Sequence, residues 1–159
     1  MELVPFLEKD FEQLISWITS ERLNYQWGGP KYNFPLTRDQ IMAHCSKPET
    51  FPFLFKVGGD NAGFIELRYQ SEGQYRICRV LIAQEFRGMG LSTPMLKMAI
   101  EKATAEFECN TLTLAVFEHN LSARNCYLGL GFEEIAITQA TRTFDDETWN
   151  SIEMAKSLV

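Results

Sequence analysis

The sequence lacks any long apolar run. No stretch of its 159 residues approaches the roughly 20 consecutive apolar residues that a membrane-spanning helix needs. The first five residues, MELVP, also contain no basic segment followed by an apolar one, so we expect no secretory signal. These absences predict a cytoplasmic protein that does not enter a membrane.

Cysteine and histidine are scarce and scattered along the chain. The two histidines are far apart in sequence, and none of the cysteines forms a CxxC pair. A zinc site needs clustered ligands, so we expect no metal and, in a cytoplasmic protein, reduced thiols. The residues concerned are Cys45, Cys78, Cys109, Cys126, His44 and His119.

Blocks of basic residues are also missing, and the formal net charge is −6. Nucleic-acid-binding proteins usually present a basic face to the phosphates, so this class of partner is disfavoured. An acidic surface suits a cationic substrate such as an amine. Many cytoplasmic proteins that bind no cation share the same charge.

The N-terminal third predicts a strand and two helices. A short apolar segment over 3–7 favours a strand. Asp10 and Gln13 resemble a capping box that opens a helix ending near residue 20. Glycines and prolines over 21–36 favour irregular structure, and Thr37 with Gln40 repeats the capping pattern before a helix that reaches about residue 45.

The rest of the chain alternates between strand and helix periods. We predict a three-strand meander over 51–57, 62–69 and 75–83, a helix over 92–107, a strand over 111–117 and a helix over 120–130 capped by Gly131. A closing hairpin over 135–143 and 148–157 turns at Asp145-Asp146. The pattern predicts one domain over 1–159 with a mixed α/β (α+β) fold, in which helices flank a largely antiparallel central sheet.

The segment from Val80 to Ser92, VLIAQEFRGMGLS, predicts a strand that enters a glycine-containing turn and then directly a helix. Backbone N–H groups in such a turn, with the helix dipole behind them, favour an anion. Gly88 and Gly90 leave room for a pyrophosphate to approach the backbone. No Lys-Ser/Thr follows Gly90, which excludes a P-loop, and the third glycine of a dinucleotide fingerprint is missing. A turn that binds nothing stays an alternative.

Two motifs give a resemblance to a known family. Arg87-x-x-Gly90-x-Ser92 resembles the acetyl-CoA signature of the GNAT acetyltransferases, with Ser92 in place of the usual glycine or alanine. Downstream, Asn120-x-x-Ala123-x-x-x-Tyr127-x-x-x-Gly131-Phe132 resembles the second CoA motif of the same family. The resemblance covers residues 51–158 and includes N-acetyltransferases that modify ribosomal-protein N-termini. It implies a GNAT-like sheet that splays at one strand pair, acetyl-CoA as co-substrate, and transfer of the acetyl group to an amine.

The resemblance also implies which residues contact the cofactor. The turn amides would hold the pyrophosphate, the preceding strand would pair with pantetheine, and Asn120 would bond pantetheine or cap the next helix. The implied residues are Leu81, Ile82, Ala83, Arg87, Gly88, Met89, Gly90, Leu91, Ser92, Asn120 and Tyr127.

For catalysis, Tyr127 matches the general acid of the family, which protonates the departing CoA thiolate; a tyrosine that only packs is the alternative. A general base is harder to assign, because the family's two usual positions hold Arg76 and Ala115. Glu66 and Glu118 are the remaining candidates. Each is alternatively a solvated surface charge, and ordered water is a further route for the proton.

The acceptor is left open by the sequence. Tyr25, Trp27 and Tyr32 lie in a loop that covers the acceptor site in similar proteins, where aromatic walls favour amines, or they plug the fold. A peptide N-terminus, a polyamine or another small amine fits equally, and a homodimer is compatible with the sequence. A non-catalytic acyl-CoA sensor on the same fold is the second hypothesis.

Overall fold

The structure is a computed structural model that describes the backbone of all 159 residues and the side chains of all but residues 140–142. Its helices and strands divide between two compact units. The first unit comprises Met1–Arg68 and Arg79–Leu91, and the second comprises Tyr69–Cys78 and Ser92–Val159. No helix of the described residues is long and apolar enough to cross a bilayer.

Seven strands and five α-helices follow one another along the chain. The strands are β1 (Glu2–Pro5), β2 (Thr50–Val57), β3 (Asp60–Ser71), β4 (Gln74–Ile82), β5 (Thr111–Phe117), β6 (Glu133–Phe144) and β7 (Glu147–Ser157). The α-helices are α1 (Phe11–Trp17), α2 (Glu21–Gly28), α3 (Arg38–Cys45), α4 (Ser92–Glu106) and α5 (Leu121–Gly129). The strands β3 and β4 each begin in one unit and end in the other.

Strand pairing confirms the predicted fold class. The hydrogen-bonded order is β1-β2-β3-β4 through the first unit and β4-β5-β7-β6 through the second. The pairs β1–β2, β2–β3, β5–β7 and β6–β7 are antiparallel, while β4–β5 is parallel. The parallel register joins three residue pairs and ends at Arg76 and Thr113, although both strands continue. Such an early end to pairing is what a splayed strand pair requires.

The core of the first unit forms where α1, α2 and α3 pack their apolar faces on β2, β3 and the end of β4. Its buried members are Phe6, Phe11, Leu14, Trp17, Ile18, Trp27, Tyr32, Leu36, Ile41, Leu54, Phe64, Leu81 and Ala83. In the second unit the buried face of α4 consists of Met95, Leu96, Ala99 and Ala103. The alternating residues Leu112, Leu114 and Val116 of β5 are also buried.

The sequence prediction for residues 21–36 is wrong over its first half, because α2 occupies Glu21–Gly28. Ser20 starts this helix: its extended backbone and its hydroxyl, which accepts a bond from Leu23 N at 3.1 Å, form an N-cap. The Gly-Gly-Pro sequence that suggested irregular structure lies at the end of the helix.

The two predicted capping boxes have different outcomes. Thr37 caps α3 as predicted, since its hydroxyl accepts from Gln40 N at 3.3 Å and from Gln40 Nε2 at 3.2 Å. Asp10 makes no such cap for α1. Its carboxylate turns back and accepts the backbone N–H of Leu7 at 3.0 Å, because a 3-10 turn over Glu8–Asp10 precedes the helix.

The remaining elements agree with the sequence to within a few residues. Pro94 lies in the first turn of α4, where its missing N–H costs no hydrogen bond. Gly131 follows α5 with φ +93°, as a C-terminal cap requires. Asp145 and Asp146 both have positive φ, of 52° and 65°, in the two-residue turn between β6 and β7.

Candidate functional site

The turn after β4 presents a run of free backbone amides. The N–H of Phe86 bonds Ala83 O at 2.9 Å and that of Arg87 bonds Gln84 O at 3.2 Å, which closes one 3-10 turn. The next four amides, Gly88 to Leu91, donate to no group among the described residues. Four consecutive free donors immediately before the first residue of α4 make a ready anion site.

Gly88 and Gly90 give this turn its shape. Both have a positive φ, of 78° and 71°, which L side chains rarely adopt. A Cβ built on either would meet no atom within 4 Å, so the space above both glycines is open to a ligand. The predicted run of amides from Arg87 to Ser92 is therefore corrected at its start, because the Arg87 amide is already bonded within the 3-10 turn.

The Arg87 side chain folds back on its own strand. Its Nε donates to the carbonyl oxygen of Ile82 at 2.9 Å, while Met89 projects outward and is 65% exposed. Arg87 thus fixes the turn against the end of β4. This contact supports the shape of the turn and is a role that the motif alone did not indicate.

At the end of β4, alternate residues face opposite edges of the strand. The N–H of Ala83 bonds Ala62 O at 2.8 Å on the β3 side. By the period of two, Ile82 presents its main-chain groups to the other edge. The side chains of Leu81 and Ala83 are buried in the core of the first unit. The predicted cofactor strand therefore uses the side chains of Leu81 and Ala83 for packing. The Ile82 carbonyl already accepts from Arg87 Nε, and its N–H faces the edge away from β3.

Glu66 is fully buried, which overturns the alternative that it is a solvated surface charge. Its Oε2 accepts from Arg79 Nε at 2.8 Å, and His44 Nε2 lies 3.0 and 3.1 Å from its two oxygens. Both oxygens are therefore engaged inside the first unit. The sequence analysis considered His44 only as a doubtful metal ligand. Among the described residues no three His, Cys, Asp or Glu side chains form a metal-ligand group.

Two of the three aromatic residues predicted as acceptor walls, Trp27 and Tyr32, belong to this same interior, whereas Tyr25 is half-buried. Trp27 and Tyr32 are buried and their rings stack at 5.5 Å, so they plug the core, as the alternative held. Burial, and then the nearby Cys45 and Glu66, raise the pKa of Tyr32. Burial and Glu66 raise the pKa of Cys45 to about 12. Neither group ionises near neutral pH.

In the second unit, Asn120 caps α5. Its Oδ1 accepts from Ala123 N at 3.4 Å, and its own N–H bonds Phe117 O at 3.0 Å. The capping role that the sequence analysis held as an alternative is thus filled. The polar side chain is used to start the helix that carries Tyr127.

Tyr127 is buried on α5, and its ring meets Phe132 edge-on at 6.0 Å. Its hydroxyl bonds no group among the described residues. Burial, and then the neighbouring Cys126, raise the pKa of Tyr127 above the ordinary value for tyrosine. The phenol is therefore protonated at neutral pH, in the form that an acid catalyst needs.

The second unit also holds the other glutamate candidate. Glu118 follows β5 directly and is half-buried; its main-chain N–H bonds Asn150 O at 2.9 Å, and its carbonyl accepts from Arg124 at 2.9 Å. Its carboxylate pairs with no cation among the described side chains. Unlike Glu66, it has oxygens left to accept a proton.

Arg76 is engaged by a partner that the sequence analysis missed. Its guanidinium forms two bonds to the Glu153 carboxylate, one of them at 2.9 Å, and a third to Thr113 Oγ1 at 3.2 Å. Glu153 lies directly opposite Ala115 in the β5–β7 register. A carboxylate is thus present beside a position where the family's glutamate is missing, but the arginine neutralises it. The strand register was the signal that could have revealed it.

Known proteins resemble this chain in sequence and in fold. A relative from Lactobacillus delbrueckii subsp. lactis, an uncharacterised N-acetyltransferase, is 28% identical over 148 residues, which cover 82% of this chain and 83% of the relative. The fold is similar to that of spermidine N-acetyltransferase from Vibrio cholerae, solved with CoA and spermine: TM-score 0.85, 15% identity, 98% and 94% of the two chains covered. It is also similar to the ribosomal-protein-S18-alanine N-acetyltransferase of Escherichia coli, with TM-score 0.78, 18% identity and coverage of 99% and 93%.

A family model gives the assignment. The acetyltransferase (GNAT) family model matches residues 11–132, well over half of the chain. Together with the relative described above, this match confirms the resemblance that the two sequence motifs gave. The chain belongs to the acetyltransferase (GNAT) family and is an N-acetyltransferase that uses acetyl-CoA as its co-substrate.

Proposed function

We propose that the protein transfers an acetyl group from acetyl-CoA directly to a primary amine, and that the amides of Gly88 to Leu91 hold the pyrophosphate of the cofactor. The observation that carries the proposal is the run of four amides that donate to no described group, with two glycines at positive φ, just before α4. The pyrophosphate of CoA is negatively charged, and free amides at a helix start are suitable donors to it. We also propose that residues 1–159 act as one acetyltransferase domain.

In the proposed reaction the amine nitrogen attacks the thioester carbonyl carbon. The tetrahedral intermediate then collapses, the carbon–sulfur bond breaks, and the CoA thiolate takes a proton from Tyr127. The raised pKa of this buried phenol keeps the proton available at neutral pH. The amine loses its own proton to Glu118, whose carboxylate lacks a cationic partner among the described side chains. The products are the amide and CoA thiol.

The acceptor in this proposal is a cationic amine, either a peptide N-terminus or a small amine such as a polyamine. The net charge of −6 favours a cation. Proteins with the same fold acetylate both kinds of acceptor, spermidine in one case and a ribosomal protein in another. A panel of polyamines, amino sugars and N-terminal peptides, followed by thiol release, separates these classes.

The cofactor site is tested by replacing one glycine with aspartate. Gly90→Asp adds a negative charge where the phosphates should lie, and we expect isothermal titration to show acetyl-CoA affinity reduced by at least about tenfold, given like-charge repulsion near 4 Å. Gly59→Asp is the matched control. Gly59 has φ +85° in the β2–β3 turn, and a Cβ there also meets no atom within 4 Å.

Both substitutions carry the same backbone strain and the same added charge. A loss of affinity in Gly90→Asp alone supports the proposed pyrophosphate site. Equal affinity in the two folded variants would show that the turn does not hold the cofactor.

A further inference from the structure

Arg79 is a non-glycine residue held in a left-handed backbone conformation inside β4, with φ +51°. An L residue adopts this conformation only where its surroundings enforce it. Two residues later the chain reaches Leu81, Ile82 and Ala83, the segment proposed to pair with the thioester arm. The conformation of Arg79 therefore sets the direction in which that segment runs.

Arg79 is held at both its side chain and its backbone. Its Nε donates to Glu66 Oε2 at 2.8 Å, with the two side chains 9% and 0% exposed. Its carbonyl oxygen accepts from Trp27 Nε1 at 3.0 Å. One contact comes from β3 and the other from α2, so two separate elements fix the same residue.

Stability alone does not account for this arrangement. A buried ion pair rarely stabilises a fold more than well-packed apolar side chains of the same volume, because both charges lose their hydration. Trp17 is a tryptophan of the same core whose buried Nε1 has no hydrogen-bond partner among the described residues. Glu66 and Trp27 share one target, the strained residue of β4.

We propose that Glu66 and Trp27 are positioning residues for acetyl-CoA, which act by holding Arg79 left-handed so that Leu81 to Ala83 present their main chain to the thioester arm. This inference rests on the proposed cofactor site. It assigns Glu66 a holding role in place of the general-base role that the sequence suggested. The oxygen that does this is Oε2, which accepts from Arg79 Nε.

Two substitutions of Arg79 separate backbone geometry from loss of the side chain. Arg79→Gly and Arg79→Ala both delete the guanidinium, but only glycine adopts φ +51° without strain. Without the ion pair between Arg79 and Glu66, an alanine at position 79 can leave the left-handed conformation. Cofactor binding must then restore this strained conformation. We expect acetyl-CoA to bind Arg79→Ala about five- to thirtyfold more weakly than Arg79→Gly, the factor that corresponds to the cost of the left-handed conformation.

A second pair of variants tests the backbone contact without touching the ion pair. Trp27→Phe removes the donor to the Arg79 carbonyl but keeps an aromatic ring, and we expect KM for acetyl-CoA to rise about two- to tenfold, as one net hydrogen bond allows, with kcat little changed. Trp17→Phe is the matched control. Both tryptophans are 8% exposed, but the Trp17 N–H bonds no group among the described residues.

Titration of the wild-type protein with acetyl-CoA distinguishes a failure of the proposed function from a failure of the positioning role. If the wild type does not bind acetyl-CoA, the proposed function is wrong. If the wild type binds and Arg79→Ala, Arg79→Gly and Trp27→Phe all bind with wild-type affinity, the positioning role is wrong, and lowered thermal midpoints in these variants would then mark a purely structural cluster. Should the Arg79 variants not fold, the tryptophan pair alone decides.

Discussion

Tyr127→Phe tests the phenol hydroxyl that donates a proton in the proposed mechanism. Phenylalanine keeps the ring that packs edge-on against Phe132 and removes only the hydroxyl. Because that hydroxyl bonds no described residue, its removal leaves no buried partner unsatisfied, and we expect folding stability to stay within about 0.5 kcal/mol of wild type. A change in rate then reports on chemistry.

The expected magnitude follows from general acid catalysis, which contributes typically ~10²–10⁴ in rate. CoA thiolate is a fairly good leaving group and needs less help from an acid, so the lower end applies. A loss of about 10² corresponds to about 2.7 kcal/mol of transition-state stabilisation. Binding of acetyl-CoA should change little, because the hydroxyl acts on the sulfur only as the bond breaks.

The dependence on pH gives a second check on Tyr127. Since burial raises the pKa of this phenol above its usual value near 10, the acid stays protonated below about pH 10. The ratio of wild-type to Tyr127→Phe rates should therefore be constant from neutral to mildly alkaline pH. If the pKa of the phenol were unshifted or lowered, this rate ratio would fall as the pH rises through that pKa.

The assay is single-turnover acetyl transfer to the amine that the acceptor screen identifies, run beside a binding titration. Tyr69→Phe is the control, since it deletes the hydroxyl of a 44% exposed tyrosine. Wild-type turnover in Tyr127→Phe would remove this residue from the mechanism and leave water as the acid. Loss of acetyl-CoA affinity equal to the loss of rate would instead mark Tyr127 as a binding residue.

Three further predictions concern groups outside the cofactor turn. Glu118→Gln should lower kcat/KM at least about tenfold if Glu118 is the base, whereas Glu133→Gln, at an exposed carboxylate of the second unit, should not; equal rates would assign the proton to ordered water. Thiol counting on protein alkylated during unfolding should give four free cysteines, because all four are free thiols in the structure, and a native disulfide would contradict this. In the folded protein Cys45 should react slowly at neutral pH, because a pKa near 12 leaves almost no thiolate.

The fold was predictable from the sequence where local chemistry decides it. Thr37 and Gln40 predicted the start of α3, and Asp145-Asp146 predicted the last turn. The alternation of apolar and polar residues predicted β5. The helix α2 was missed because the Gly-Gly-Pro sequence outweighed the N-cap at Ser20. Both signals were present, and the correct prediction required placing the glycines after the helix and not within it.

The contacts of Glu66 were not predictable in this way. Its partners come from α3 and β4, and the contact between Trp27 and Arg79 joins residues 52 positions apart. A carboxylate in a strand looks the same in sequence whether it faces water or the core. The positive φ of Arg79 was not predictable from the sequence either, because arginine does not favour that conformation and tertiary contacts impose it.

Glu66 and Glu118 differ in their surroundings, which suit them to different roles. Glu66 has no exposed surface, and both its oxygens accept bonds from within the first unit, so an amine cannot reach it without breaking an ion pair. Glu118 is half-buried, and among the described residues only its main chain is bonded. A base must be able both to accept a proton and to give it up to solvent. Glu118 meets that requirement, while Glu66 is suited to hold the backbone of Arg79 through the ion pair that it forms.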